Sequence, residues 1–271
     1  MKNIAVCSLF KDSVSWHGIQ TDQVNKFFET MDTQKQNLSE NFDISISVLE
    51  NNSADDTEKH IRANQKKYEN VHFLKLSDSL NLGEVRSVSS SERINALGFL
   101  ANLLFSFAKN FNSEYILWTE SDLIFPQKDT INQLVEKMES DKSISAISPV
   151  IFFDADMSEN GNFKCDSNGK LSKGYKYFYD TWAYENKNTS TWTNNPPYNI
   201  EYALTKERYI EMNAVGSSCL FRTADVKDIS FDDQAFKGIC SKIISNGGKI
   251  FLDKELEILH PTNYYMKQRL I

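Results

Sequence analysis

The first 120 residues alternate short apolar runs with amphipathic segments, and that alternation constrains the fold more than any other feature. Ile4 to Leu9 is an apolar run of strand length. Gln20 to Met31 sets Val24, Phe27, Phe28 and Met31 at helical spacing on one face. Phe42 to Leu49 alternates Ile44, Ile46 and Val48, which predicts a second strand. Asp55 to Tyr68 reads as a charged helix and Val71 to Leu76 as a third strand. Ser91 to Phe111 reads as a strongly apolar helix that buries Leu97, Leu100, Leu104 and Phe107, and Tyr115 to Trp118 as the fourth strand. A β-α-β-α-β-α-β order implies an α/β fold: a mixed, mostly parallel sheet flanked by helices. In such sheets ligands bind outside the carboxyl ends of the strands.

The fourth strand runs into Thr119-Glu120-Ser121-Asp122, so two carboxylates fall at that edge. In extended backbone, residues two apart point the same way. Two like charges on one face repel unless a cation sits between them, and a hard divalent ion such as Mg²⁺ or Mn²⁺ suits carboxylate and phosphate oxygens. The plainer alternative is a strand end that turns into solvent.

Beyond this point Ile131 to Ser140 predicts a helix and Ile144 to Phe153 a strand. From about 154 to 209 the regular pattern breaks. The stretch holds Gly161, Gly169 and Gly174 and many aromatics, among them Tyr175, Tyr177, Phe178, Tyr179, Trp182, Tyr184, Trp192 and Tyr198. It is too aromatic for a disordered linker and reads as an ordered insertion over the sheet edge. Regularity returns with Ala214 to Arg222 as a strand, Asp232 to Asn246 as a helix, and Lys249 to Leu252 and Leu256 to Leu259 as strands.

Composition narrows the function. At 271 residues the chain suits a single large domain. A net charge of −7 argues against a protein whose main task is to grip bare nucleic acid. Cys7, Cys165, Cys219 and Cys240 are scattered without a CxxC pair, which fits reduced thiols rather than a zinc site. The opening residues lack a signal-peptide pattern and no apolar run reaches about 18 residues, so the expected location is cytoplasmic.

The second strand ends in Glu50-Asn51-Asn52-Ser53-Ala54-Asp55-Asp56-Thr57, a polar loop that caps the next helix or hydrogen-bonds a base or ribose. Together with Glu120-Ser121-Asp122 it resembles the nucleotide-sugar-dependent glycosyltransferases of GT-A fold, in the family-2-like group. There the second strand ends in a D-D-G-S-x-D-x-T-like run and the fourth in a metal-holding D-x-D motif. Here Glu120 stands for the first Asp of that motif. Ala214-Val215-Gly216-Ser217-Ser218-Cys219 is similar to the glycine-containing strand beside the donor sugar, where glycine admits close backbone approach. Phe231-Asp232-Asp233-Gln234 resembles the family's E-D motif, and Gly247-Gly248-Lys249-Ile250 the strand after it. His260-Pro261 stands where a last metal ligand is often found. Tyr179-Asp180-Thr181-Trp182 looks most like the capsule-type (CAP59-like) mannosyltransferase relatives.

The resemblance implies one GT-A domain over 1–271. Residues 1–126 would form the nucleotide-sugar-binding half, and 127–271 the acceptor-binding half with the insertion at about 154–209. It implies a metal-dependent transfer of a sugar from a nucleoside-diphosphate sugar to an acceptor hydroxyl. Asp122, Glu120 and His260 would hold Mn²⁺ or Mg²⁺. Ser8, Leu9, Glu50, Asn51 and Arg93, with Glu120, Gly216 and Ser217, would contact the donor; in an inverting enzyme Asp233 or Asp232 would be the general base, and in a retaining one these aspartates would bind the acceptor. The aromatic insertion suits stacking on a glycan or lipid-linked saccharide. Lysines interleaved with the aromatics keep a DNA acceptor open, as in virus-type glycosyltransferases of hydroxymethylated bases. The altered first Asp leaves room for a non-catalytic sugar-nucleotide or glycan-binding module.

Overall fold

The computed structural model describes residues 1–16, 19–77, 91–154, 178–179, 183–187, 202, 205–232 and 234–261. In chain order the first half contains β1 (Lys2–Phe10), β2 (Ser15–Trp16), β3 (Ile19–Gln20), α1 (Gln23–Gln36), β4 (Phe42–Asn51), α2 (Thr57–Lys67), β5 (Val71–Leu76), α3 (Ser91–Lys109) and β6 (Tyr115–Thr119). The second half contains α4 (Thr130–Ser140), β7 (Ile144–Phe153), β8 (Glu185–Asn186), β9 (Tyr209–Ala214), β10 (Ser218–Arg222), a short α5 (Thr223–Val226), α6 (Phe236–Ser245) and β11 (Lys249–His260).

Nine of the strands form one sheet in the order β5-β4-β1-β6-β10-β7-β11-β9-β8. The block β5-β4-β1-β6 is parallel. Strand β10 enters antiparallel between β6 and β7, and β11 runs parallel to β7. The order reverses at β1, with β4 on one side and β6 on the other, which opens a crevice at their carboxyl ends. Two layers of helix cover the sheet. One cluster joins Ala5, Cys7 and Trp118 to Leu100 and Leu104 of α3 and Ile239 of α6. The other joins Ile4, Val6 and Leu117 to Phe28 of α1 and Leu134 of α4. Helix α1 buries Val24, Phe27, Phe28 and Met31, the set that the spacing singles out. In α3, Leu100 and Leu104 are buried, while Leu97 and Phe107 are only half-buried.

Three expectations need correction. Ala214 to Arg222 is not one strand: β9 ends at Ala214, β10 begins at Ser218, and the two lie apart in the sheet. Lys249 to Leu259 is one strand rather than two, with a register shift between Asp253 and Glu257. Helix α6 begins at Phe236, because Asp232 closes a turn before it, accepting the Ala235 N–H at its carbonyl and the Gln234 N–H at Oδ1.

The edge opposite the crevice is tied by charge. The Arg222 guanidinium, nearly buried, donates to the carbonyls of Met138 and Ile144 and to the Tyr115 hydroxyl. That hydroxyl donates in turn to Glu139, which also meets Lys2 at 2.9 Å and Lys142 at 3.0 Å. The hydrogen bond from Tyr115, then those from Lys2 and Lys142, carry the Glu139 carboxyl from 4.5 down to about 2, against a smaller burial cost. A depressed carboxyl stabilises the fold above its unfolded value and loses that contribution as pH falls through the folded one. Between pH 4.5 and about 2 the wild type should therefore lose about 1–2 kcal/mol from this group, discounted for partial exposure. Urea midpoints across that window should fall less steeply in Glu139→Gln; equal slopes would remove Glu139 from the acid response.

Candidate functional site

Four chain segments converge at the crevice edge. Strand β6 delivers Glu120 and Asp122, the entry of β10 delivers Ser217, and the ends of β7 and β11 deliver Phe153 and His260. The register explains the meeting. Ser218 pairs with Thr119, so Ser217 lies beside Glu120; the Glu120 N–H donates to the Ser217 carbonyl at 3.1 Å, and the Ser217 hydroxyl donates to Glu120 Oε1 at 3.2 Å. His260 pairs with Phe153 and accepts the Asp154 N–H at its carbonyl at 3.0 Å. Ile124 forms an antiparallel bridge to Leu259, which brings the residues after β6 onto the end of β11.

The strand-alternation argument for Glu120 and Asp122 fails in its detail. Strand β6 stops at Thr119 and the chain turns at Ser121 and Asp122, because Ile124 must reach Leu259. The cluster forms all the same: one ligand atom each from Glu120, Asp122 and His260 lie within 4.8 Å of one another. His260 Nε2 sits 3.2 Å from Asp122 Oδ2. Burial alone would raise the Asp122 carboxyl; the charge and hydrogen bond of His260, then its own backbone amide and the Gln23 side chain, outweigh it and hold the group below the usual carboxylate range. A divalent ion bonded at about 2.0–2.2 Å spaces its ligand atoms by about 3–4 Å, and the His260–Asp122 pair, at 3.2 Å, falls in that range. Two carboxylates and one imidazole form a donor set that a divalent cation can use. Among the described residues no other group of three such side chains is so placed.

The remaining predicted residues take varied positions. Ser8 and Leu9 lie near the end of β1, with Leu9 opposite Leu49 and Phe10 opposite Glu50. Glu50 and Asn51 are buried at the end of β4. The Glu50 carboxylate accepts the Ser53 N–H, which closes the turn after the strand. The Ser-x-Asp-x-Thr run staples the first loop. Asp55 Oδ2 accepts the amides of Val14 and Ser15 at 2.9 and 2.7 Å, Ser53 accepts that of Asp12, and Thr57 that of Ser13. Gly216 is buried just before Ser217. Arg93 is half-buried in the first turn of α3, which starts at the same sheet edge. Asp232 Oδ2 pairs with Lys242 at 2.9 Å. Gly238 makes room for that carboxylate, since a Cβ there would lie 1.8 Å from Asp232 Oδ1. Asp233 and most of the aromatic insertion lie outside the described residues.

Two neighbours of the cluster escaped the sequence reading. Gln23, the first residue of α1, hydrogen-bonds Asp122, and nothing in a polar helix start signals it. Tyr179 stacks on the His260 ring at 3.9 Å between centroids. It stands in the Tyr-Asp-Thr-Trp string, but no spacing links residue 179 to 260.

No family model and no curated sequence matches the chain. Solved structures do. GalNAc-T7 with UDP, GalNAc and Mn²⁺ superposes with a TM-score of 0.60 at 13% identity, over 96% of this chain and 43% of that one. S. aureus TarS 1-349 in complex with UDP-GlcNAc gives 0.54 at 14% identity, over 96% and 58%. The mannosyltransferase PcManGT from Pyrobaculum calidifontis, in complex with GDP-Man and Mn²⁺, gives 0.52 at 10% identity, over 94% and 56%. The fold is GT-A. The chain spans less than two thirds of the length of each of these structures. In GT-A terms the cluster lies at the carboxyl edge of the sheet, where the segment after β6 meets the entry of β10 and the end of β11. Among the described residues, no helix is long and apolar enough to cross a membrane.

Proposed function

We propose that the protein is a metal-dependent glycosyltransferase that moves a sugar from a nucleoside-diphosphate donor to an acceptor hydroxyl. The observation that carries this reading is the Glu120–Asp122–His260 cluster at the crevice of a GT-A sheet. These three side chains would hold Mn²⁺ or Mg²⁺, and the ion when bound supplies positive charge to the departing diphosphate. The protein's part is to place and screen the donor. Ser8, Leu9, Glu50 and Asn51 border the crevice where base and ribose would lie. Glu50 acts there through the turn it fixes as much as through direct contact. Ser217 orients Glu120, while Gly216 would border the donor sugar and Arg93, in the first turn of α3, would contact the diphosphate. Asp232 is engaged by Lys242 and the Gln234 amide, which favours Asp233 as the base that takes the acceptor proton. The acceptor is a glycan or lipid-linked saccharide, in keeping with the acidic chain and its aromatic insertion.

The test is nucleotide release from a panel of UDP-, GDP-, CMP- and dTDP-sugars, with Mn²⁺ or with EDTA. One donor should turn over with Mn²⁺ and stop with EDTA. Absence of both turnover and donor-induced thermal stabilisation would refute the reading.

A further inference from the structure

We propose that Tyr179 is a positioning residue for His260: its ring face fixes the plane of the imidazole and so keeps Nε2 aimed into the carboxylate cluster. The inference rests on the metal-site reading above, and it concerns a residue that neither the motifs nor the comparisons assign.

The His260 ring packs against two aromatic rings. Tyr179 covers one face at 3.9 Å with an interplanar angle of 17°. Phe153 meets the imidazole edge-on at 5.8 Å and 76°, and meets Tyr179 at 5.2 Å and 89°. A histidine with a rotatable Cβ–Cγ bond can present either nitrogen or neither to an ion, and proteins usually settle this with a second-shell partner. Here rotation of the ring would break the stack.

Tyr179 is itself held from both sides. Its N–H donates to the Ile151 carbonyl at 2.9 Å, and the adjacent Phe178 bridges Phe152, so the pair rides on β7, the strand beside β11. Tyr179 also packs against the small apolar cluster of Leu123, Ile151 and Ile258. Leu123 follows Asp122 and Ile258 precedes His260 by two. That apolar cluster joins the segment of Asp122 to the strand of His260, and Tyr179 packs against it. Tyr179 is half-buried, in contrast to the fully buried aromatics of the sheet core.

The experiment is a Mn²⁺ titration of the full chain followed by electron paramagnetic resonance, which separates free from bound ion without turnover. Wild type, Tyr179→Phe, Tyr179→Leu and His260→Ala are compared. Tyr179→Phe keeps the ring and should bind within about twofold of wild type, whereas Tyr179→Leu should bind about tenfold more weakly. Tyr179→Met fills the volume without a ring face, and replaces Tyr179→Leu if the latter folds poorly. Wild-type affinity in the leucine or methionine variant would overturn the proposal, as would a phenylalanine variant as weak as the leucine one. A wild type that binds no Mn²⁺, or whose binding ignores His260→Ala, would overturn the metal-site reading and this inference with it. Loss in His260→Ala with none in Tyr179→Leu would overturn the inference alone.

Discussion

Asp122→Asn is expected to lower metal-dependent nucleotide release by about 100-fold or more, with little change in thermal stability. The substitution keeps the shape and removes the charge. In the wild type the carboxylate stands 3.2 Å from His260 Nε2 and accepts from Gln23. It is thus aimed before any ion arrives. An amide in its place offers one neutral oxygen and competes for the same partners. The loss should appear chiefly as weaker Mn²⁺ dependence, so that raising Mn²⁺ recovers part of the rate. Glu120→Gln should act in the same direction but less strongly, since the Ser217 hydroxyl keeps that side chain in place. Release at the wild-type rate from Asp122→Asn would show that the cluster is not the metal site.

The second large effect concerns stability. Arg208→Ala should destabilise the protein by about 3–5 kcal/mol, read as a fall in urea midpoint. Asp253 is fully buried, and Arg208 contacts it through both Nε and Nη2 at 2.9–3.1 Å while also donating to Gln133. The hydrogen bond to Asp253 raises the guanidinium pKa further above its normal range. Removal of Arg208 strands a buried carboxylate. The pair sits where β11 shifts register, and Asp253 Oδ1 also accepts the Glu255 N–H there. Seven residues later the same strand ends at His260. The alanine variant should therefore also weaken Mn²⁺ binding, although Arg208 is not in the cluster. Replacing the pair together, Arg208→Met with Asp253→Leu, should restore part of the stability. It should not restore all of it, because the Glu255 amide loses its acceptor. An Arg208→Ala protein within about 1 kcal/mol of wild type would mean that water reaches Asp253.

The same pair shows where sequence reading reached its limit. Asp253-Lys254-Glu255 looks like a polar turn between two strands. It lies within one strand because Arg208, 45 residues earlier, neutralises the buried Asp253. Elsewhere the local signal was enough. Val24, Phe27, Phe28 and Met31 carry their helix in their spacing, and the apolar runs that became β1, β4 and β6 stand out unaided. The two-residue strands β2 and β3 are too short to show a period. The break between β9 and β10 falls at Gly216-Ser217-Ser218, a turn-forming stretch whose signal is outweighed by the apolar residues on either side. At the site, Glu120 and Asp122 were legible as carboxylates at a strand end. Their neighbours Gln23 and Tyr179 were not, because each meets the cluster through tertiary packing between distant segments.

Strand β11, the last in the chain order described, lies inside the sheet, and β9 and β8 join the sheet only through it. Both flanks of the sheet close over long loops: β1 meets β6 across about 110 residues, and β11 meets β9 and β7 across 38 to about 105. Glu120 and Asp122 follow the strand that completes the first flank, and His260 ends the strand that carries the second. The three side chains therefore come together only when both flanks are in place, so for the proposed metal site, ion affinity during refolding would report completion of the whole sheet.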